Sequence, residues 1–469
     1  MERRANMPPG LPRDRPTQSY WQDPPSDIAD CCSTPDLPSH ADVVVIGSGI
    51  SGASISYNLL SSDPSLSVVL IEARQAASGA SGRNGGHTKT ATYRSFSDNV
   101  KAVGPEDAMK ITRLEYDTMV AVHEFARQHG IDCDAKRCQT VDVFYDAAKW
   151  QAAKDSVTLM ETLMGSHAPK HIFHDSQVTA DKFLADGSIG GLEYESGSLS
   201  AYKFTIGVLK LALQKGLNLQ CNTPAHRITK TTANGLWSVE TPRGNIMTQK
   251  LVLATNGYAA HLYPPLQGVV VPLRGVVTAQ RPGQQMPQKG LETTYSFVQG
   301  DDFEYMISRP AGTKFEGDIV IGGGTHVAKD QGLAEYGNTD DTTYDKASAA
   351  YLLDCTKRSY FRSHWGPDHP EGQCRYVWSG IMGISSDGYP FVGGVPGEQG
   401  LYLDVSFQGH GMVLCFLCAK ATASMVLGRE AEDNLDAWFP TCYRVSRERL
   451  HKRFAGSKLN VSRAPELHL

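Results

Sequence analysis

The stretch Asp42–Glu72, DVVVIGSGISGASISYNLLSSDPSLSVVLIE, decides how the rest of the chain is read. Val43-Val44-Val45-Ile46 is a continuous run of β-branched residues ending at glycine, the pattern of a strand buried on both faces. Gly47-Ser48-Gly49-Ile50-Ser51-Gly52 follows at once, and apolar residues then recur at helical spacing from Ile50 to Leu60. A second apolar run, Val68 to Ile71, ends on Glu72, which stands 20 residues past Gly52. In such a unit Gly47 permits the tight turn, Gly49 lets a pyrophosphate approach the backbone, and Gly52 lets helix and strand pack closely. The helix start offers N–H groups and the positive end of its dipole to the phosphate. Glu72 can accept from ribose hydroxyls, and it would repel a 2′-phosphate, so FAD or NAD is favoured over NADP. The plainer alternative is an ordinary βαβ unit with a glycine turn.

Working outward, Ser78-Gly79-Ala80-Ser81-Gly82-Arg83-Asn84-Gly85-Gly86-His87 holds four glycines in ten residues, which excludes a helix or strand interior. It reads as a loop whose backbone comes close to the rest of a long cofactor, or else as a surface linker. Pro105 to Gly130 and Phe204 to Leu213 are helical in pattern. Leu217–Cys221 and Trp237–Glu240 read as strands joined by a turn at Gly235, and Ile246–Ala254 as a strand entering Thr255-Asn256-Gly257. That return implies a discontinuous nucleotide domain. Val269–Gln280, Tyr305–Arg309 and Ile319–Ile321 supply strands for a second, antiparallel domain. Gly409-His410-Gly411-Met412 opens a late apolar helix.

At 469 residues the chain exceeds one hydrophobic core. The expected architecture is a discontinuous Rossmann-like α/β domain over 41–104, 196–260 and 372–430. An α+β substrate domain takes 105–195 and 261–371, with an arm at 1–40 lying over the surface and a tail at 431–469. A net charge of −5 gives no basic footprint for nucleic acid, and no apolar run reaches the ~18 to 20 residues of a membrane helix. The charged, proline-rich start does not read as a secretory signal, and ten scattered cysteines fit reduced thiols in a cytoplasmic protein. Cys415-x-x-Cys418 sits in an apolar helix and reads as buried structural cysteine rather than a redox or metal pair. Ser457-Lys458-Leu459 has the letters of a peroxisomal address but is internal. Oligomeric state is not legible.

Taken together, the glycine fingerprint, Gly79-Ala80-Ser81-Gly82-Arg83-Asn84-Gly85-Gly86, Ala254-Thr255-Asn256-Gly257, Asp387-Gly388-Tyr389-Pro390 and Gly409-His410-Gly411 resemble the D-amino-acid-oxidase superfamily of FAD-dependent oxidoreductases. The likeness is strongest to its amine-oxidising branch, which holds the γ-glutamylputrescine and sarcosine oxidases and fungal members. It implies hydride transfer from the carbon beside a neutral amine to non-covalently bound FAD. Imine hydrolysis and reoxidation by O2 to H2O2 then follow. A dehydrogenase with another electron acceptor and a non-catalytic flavin-binding partner protein are the alternatives.

The resemblance further implies a cofactor set of Gly47, Gly49, Ile50, Ser51, Gly52, Glu72, Ala73, Ser81, Gly82, Arg83, Asn84, Gly85, Gly86, His87, Ala225, Ala254, Gly383, Asp387, Gly409, His410, Gly411 and Met412. Asp387 reads as holding the turn that follows it rather than as touching substrate. Trp378-Ser379-Gly380-Ile381-Met382-Gly383 puts methionine where the glycine and D-amino-acid oxidases carry a carboxylate-gripping arginine, which points to an amine substrate or to a carboxylate bound elsewhere. Arg274 is a substitute anchor or a structural arginine. Tyr305 and Trp378 are pocket walls or core residues, and His410 is a flavin contact or a capping residue. His87 and Cys374 are the two nucleophiles weighed for covalent flavin; both are offset from the family's positions. No metal site is expected.

Overall fold

The computed structural model describes residues 1–231, 235–300 and 302–455; Ser457-Lys458-Leu459 lies outside them. Among the described residues the strands form two sheets, one of eight and one of nine. The first runs Phe391–Gly394, Leu401–Val405, Gly244–Leu253, His40–Ile46, Val68–Ile71, Asn218–Gln220. Its four inner contacts are all parallel. The two apolar runs of the opening stretch pair in register, Val43 with Val68 through Ile46 with Ile71. Alternate residues go to opposite faces: Val43, Val45 and Leu70 pack with Ile55 and Leu59 of the helix Ile50–Ser62, while Val44, Ile46 and Val69 pack with Trp237 and Val239. A strand buried on both faces needs no polar alternation, which is why the run reads so plainly.

The second sheet runs Cys374–Ser385, Val270–Gln280, Ile319–Gly322, Asp302–Ser308, Thr294–Gln299, Lys136–Phe144, Gly190–Ser198, His87–Lys89, with His171–Asp175 beside Gly190–Ser198. Its pairings are antiparallel except that between Thr294–Gln299 and Lys136–Phe144. Cys374–Ser385 pairs with Val270–Gln280 along its whole length. The chain therefore returns to the nucleotide sheet after Ser385, later than the expected position 372. His87–Lys89 likewise lies in the second sheet, inside the stretch assigned to the first.

Three other expectations change. The turn at Gly235 follows a strand the sequence reading missed, Arg227–Lys230, which pairs with Trp237–Thr241; Asn218–Gln220 instead extends the parallel sheet beside Val68–Ile71. The late helix starts at Cys415, after a 3₁₀ turn at Gly411–Val413. The arm is packed rather than draped on the surface: Tyr20 and Trp21 are buried, Tyr20 stacks on Trp378, and the Ser19 hydroxyl donates to the Gly82 carbonyl at 2.6 Å. Two large aromatic side chains gain more by burial than an arm gains by staying free. The described part of the tail is held too, since Arg449 makes a bidentate pair with Asp387 at 2.7 and 3.0 Å.

Tyr93–Gln128 is two helical segments parted at Gly104 (φ 85°), and the second, which Pro105 opens, buries Glu115 with one carboxyl oxygen unpartnered; burial pushes that carboxyl up to about 8. Because the folded value is raised from 4.5, folding binds protons between about 4.5 and 8, and stability falls as pH rises through that window. Glu115→Gln is expected to match wild type below pH 4.5 and to melt increasingly higher toward pH 8. Melting curves taken across the range check this, and an unchanged pH slope would refute it.

Candidate functional site

The carboxyl ends of His40–Ile46, Val68–Ile71, Gly244–Leu253 and Leu401–Val405 open on one cleft, where Ile46, Glu72, Ala254 and Asp404 stand at the strand ends. Its void, open mouth included, is about 1540 Å³. Parallel sheets bind ligands at this edge.

The turn from strand to helix is tight because Gly47 adopts φ 107° with its Cα against the Ala254 carbonyl, where a Cβ would stand at 2.6 Å. At Gly52 a Cβ would fall 1.8 Å from the Gly47 carbonyl oxygen. Gly49 caps the helix Ile50–Ser62. One of its free N–H groups, that of Ile50, donates to the Ser81 hydroxyl at 2.8 Å, which fastens the glycine-rich loop to the helix start. Glu72 is oriented by the Ser48 amide and hydroxyl at 2.9 and 2.7 Å and by the Arg74 amide at 3.0 Å, while still facing the cleft.

Gly47, Gly49, Ile50, Ser51, Glu72, Ala73, Ser81, Arg83, Asn84, Ala225, Ala254, Gly409, Gly411, Met412 and Tyr305 all line this single cleft. The three remote segments thus converge. Strand His87–Lys89 also packs against the Gly411–Val413 turn. At this end Tyr305 lies over Gly85 and Gly322, whose added Cβ atoms would come within 2.4 Å of its ring and 2.3 Å of its hydroxyl oxygen, and burial pushes its phenol up to about 12. Met382 bridges Gly275 and Gly409, its Cε and Sδ standing 3.0 and 3.2 Å from where their Cβ atoms would be.

Other expected residues stand behind the lining. Trp378 is fully buried core, its indole N–H donating to the Arg83 carbonyl at 2.8 Å. Arg274 is structural: it forks onto Glu335 at 2.5 and 3.0 Å and donates to the Asp340 carbonyl and Thr343 hydroxyl. Neither is a pocket wall or anchor, because each is saturated by partners far away in sequence. His410 precedes the 3₁₀ turn outside the lining, and burial, with Arg94 nearby, lowers its imidazole to about 4. His87 meets the Thr294 hydroxyl at 2.6 Å in the second sheet, its imidazole pushed well below the usual value by burial. Gly52, Gly82, Gly85, Gly86 and Gly383 serve close packing instead of lining; a Cβ on Gly383 would meet the Asn256 side chain at 2.5 Å. Asp387 pairs with Arg449 and holds the turn to Tyr389.

The cleft also contains residues outside the expected site set. Gly10, Leu11 and Pro12 of the arm cross the end marked by Ala73 and Ala225, and Arg74, Thr255, Tyr258, His261, Asp404, Phe407 and Cys415 complete the wall. Arg74 pairs with Asp341 at 2.9 Å. Several lining residues carry buried polar atoms without a partner: Thr255 Oγ1, Tyr258 OH, His261 Nε2, both oxygens of Asp404, and Arg83 Nη1. Buried groups of this kind are costly unless a ligand meets them. Hydroxyl and imidazole nitrogen, guanidinium and carboxyl suit a molecule with an anionic middle and hydroxyl-bearing sugars on either side, and FAD has that constitution.

Cradle, convergent loops and orphaned polar atoms together define a flavoprotein of the two-sheet kind. The chain belongs to the DAO family of FAD dependent oxidoreductases, whose family model matches residues 42–425. It is 26% identical over 399 residues to the probable oxidoreductase OrdL of Rhizobium meliloti, covering 84% of this chain and 85% of that one. It is 21% identical to the gamma-glutamylputrescine oxidoreductase of Escherichia coli, over 82% and 84%. The fold matches glycine oxidase from Geobacillus kaustophilus with TM-score 0.68 at 18% identity, covering 87% of this chain and 99% of that structure. No helix among the described residues is long and apolar enough to cross a membrane, and no group of three or more metal-capable side chains occurs among them.

Proposed function

We propose that this FAD-dependent oxidoreductase oxidises the C–N bond of an amine to an imine and returns the electrons to O2 as H2O2. Bound FAD supplies the two-electron acceptor; the chain's part is to hold it, orient the substrate C–H bond and exclude bulk water. The observation that carries the substrate class is Met382. Val277, Ile381, Phe407, Met412 and Tyr305 of the same lining carry no charge, and its arginines are Arg74, paired with Asp341, and Arg83, which this reading gives to the diphosphate. None is therefore left for an α-carboxylate, whereas a neutral amine with an alkyl body is well received. Support for amine chemistry also comes from relatives named gamma-glutamylputrescine oxidoreductase, glycine oxidase and dimethylglycine dehydrogenase. In this reading Gly47, Gly49, Ile50, Ser51, Ser81 and Arg83 take the diphosphate, Glu72, Ala73 and Ala225 the adenosine, and Gly409, Gly411 and Met412 the ring. A non-covalent attachment is supported by His87 and Cys374 both standing outside the lining.

The test is peroxide release and anaerobic flavin bleaching with alkyl amines, polyamines, N-methyl amino acids, glycine and D-amino acids. Amines without an α-carboxylate should bleach the flavin and release peroxide in air. Preference for glycine or D-amino acids would overturn the substrate class, and bleaching without oxygen uptake would favour a dehydrogenase.

A further inference from the structure

Asp404 is the most unusual side chain of the cleft. It is 1% exposed, it sits in an apolar strand, and neither carboxyl oxygen meets a hydrogen-bond partner in good geometry, although the Ser51 hydroxyl lies close enough to favour its charged form. An acid placed there without compensation destabilises the fold, so its presence calls for a ligand. Its position identifies which part of the ligand. The residues on either side in space are Ser51, in the first turn of the nucleotide helix, and Cys415, at the start of the late helix. Ser51 follows Ile50, whose amide holds Ser81 beside Gly49. Cys415 lies against Gly411, where an added Cβ would stand 3.0 Å from its sulfur and 3.8 Å from Phe407 Cβ. Asp404 thus has the diphosphate cradle and the ring-end turn as neighbours.

We propose that Asp404 is a cofactor-positioning residue that exchanges hydrogen bonds with the ribityl hydroxyls of FAD and thereby sets how deep the ring enters the cleft. Other parts of the cofactor suit it less. The diphosphate offers acceptors alone, which an ionised carboxyl cannot meet, adenine belongs to the end marked by Glu72 and Ala225, and the ring is met by methionine, phenylalanine and tyrosine. A chain of hydroxyls both donates and accepts, so it satisfies the carboxyl whether or not it is protonated. Burial pushes the Asp404 carboxyl well above the usual range, with the Ser51 hydroxyl pulling the other way, a direction that favours the protonated form as a donor.

The inference rests on the chain's membership of the FAD-dependent family, and one titration separates the two. Apoprotein made from the holoenzyme is titrated with FAD and with ADP, which lacks the ribityl chain and ring. Wild type is expected to bind both, with FAD tighter; wild type that takes up ADP alone would overturn the flavin reading itself. Asp404→Leu is expected to weaken FAD roughly 10-fold and leave ADP within about twofold. Asp404→Asn, which keeps a donor and an acceptor, should stay within about threefold of wild type for FAD. Apo Asp404→Leu should melt higher than apo wild type, because removing an unsatisfied buried acid relieves the empty fold; a purely structural aspartate would give the opposite sign. FAD affinity unchanged in Asp404→Leu, equal losses of FAD and ADP, or a lower apo melting temperature would each overturn the proposal.

Discussion

Gly52→Ala is expected to leave the protein with at least ~100-fold weaker FAD binding and a lower melting temperature, the largest effect expected of any single methyl group in this chain. The added carbon would fall 1.8 Å from the Gly47 carbonyl oxygen and 3.4 Å from Cγ1 of Val45. Neither obstacle is the tip of a flexible side chain. The helix Ile50–Ser62 would have to retreat by roughly an ångström or more, and its N-terminal amides would leave the phosphate position that Gly47 and Gly49 frame. Overpacking of this sort costs about 1–3 kcal/mol or more, and the lost alignment falls on the cofactor. Gly394→Ala makes the control, because it lies in the same sheet but outside the cleft lining, and a Cβ there meets only the Tyr402 ring at an ordinary 3.7 Å. It should bind FAD as wild type does. Apoprotein titration with FAD beside thermal melts distinguishes the pair, and a Gly52→Ala protein that holds FAD normally would refute the close-approach argument.

That contrast also marks what could be read in advance. Gly47, Gly49 and Gly52 were legible because three backbone constraints coincide at fixed spacing between two apolar runs. The glycine loop was legible as a close-approach segment, but which of its glycines press on a neighbour depends on remote residues: Gln22 beside Gly82, Tyr305 beside Gly85 and the Leu199 carbonyl beside Gly86. Trp378 and Arg274 illustrate the limit. Their types suit a pocket, yet Tyr20 covers one and Glu335 neutralises the other, and neither partner is announced by local pattern. The strand Arg227–Lys230 was missed since its residues are exposed or half-buried and carry no apolar alternation. Asp404 did leave a signal: an acid inside Leu401-Tyr402-Leu403-Asp404-Val405 breaks the apolar run of an inner strand, at the carboxyl end where parallel sheets bind ligands.

Asp142→Ala is expected to cost about 3–5 kcal/mol of folding stability, because it strands two cations that one carboxylate now neutralises. Asp142 is fully buried in Lys136–Phe144. It accepts from Lys89 of the neighbouring sheet edge, from Arg94 and Tyr93 at the start of Tyr93–Gln128, and from the Tyr194 hydroxyl at 3.2 Å on the adjoining strand. Lys89 turns its remaining reach to the Ser296 hydroxyl at 2.8 Å. One acid therefore ties three strands of the second sheet to a helix. Burial alone would raise its carboxyl, but the Arg94 and Lys89 charges win, and it is held well below the usual carboxylate range. The folded value being depressed, the pair's stabilisation is present above the unfolded value of 3.8 and is lost as pH falls through the folded one. The gap between wild type and Asp142→Ala in denaturant midpoint should thus be widest near neutrality and shrink in acid. Asp142→Leu combined with Lys89→Met, which removes both a charge and its counterpart, should recover part of the loss. His87 shares the strand with Lys89, and that strand packs on the turn Gly411–Val413. Loosening the network is therefore expected to weaken FAD as well, and equal midpoints for Asp142→Ala and wild type at neutral pH would show that the cluster contributes no net stability.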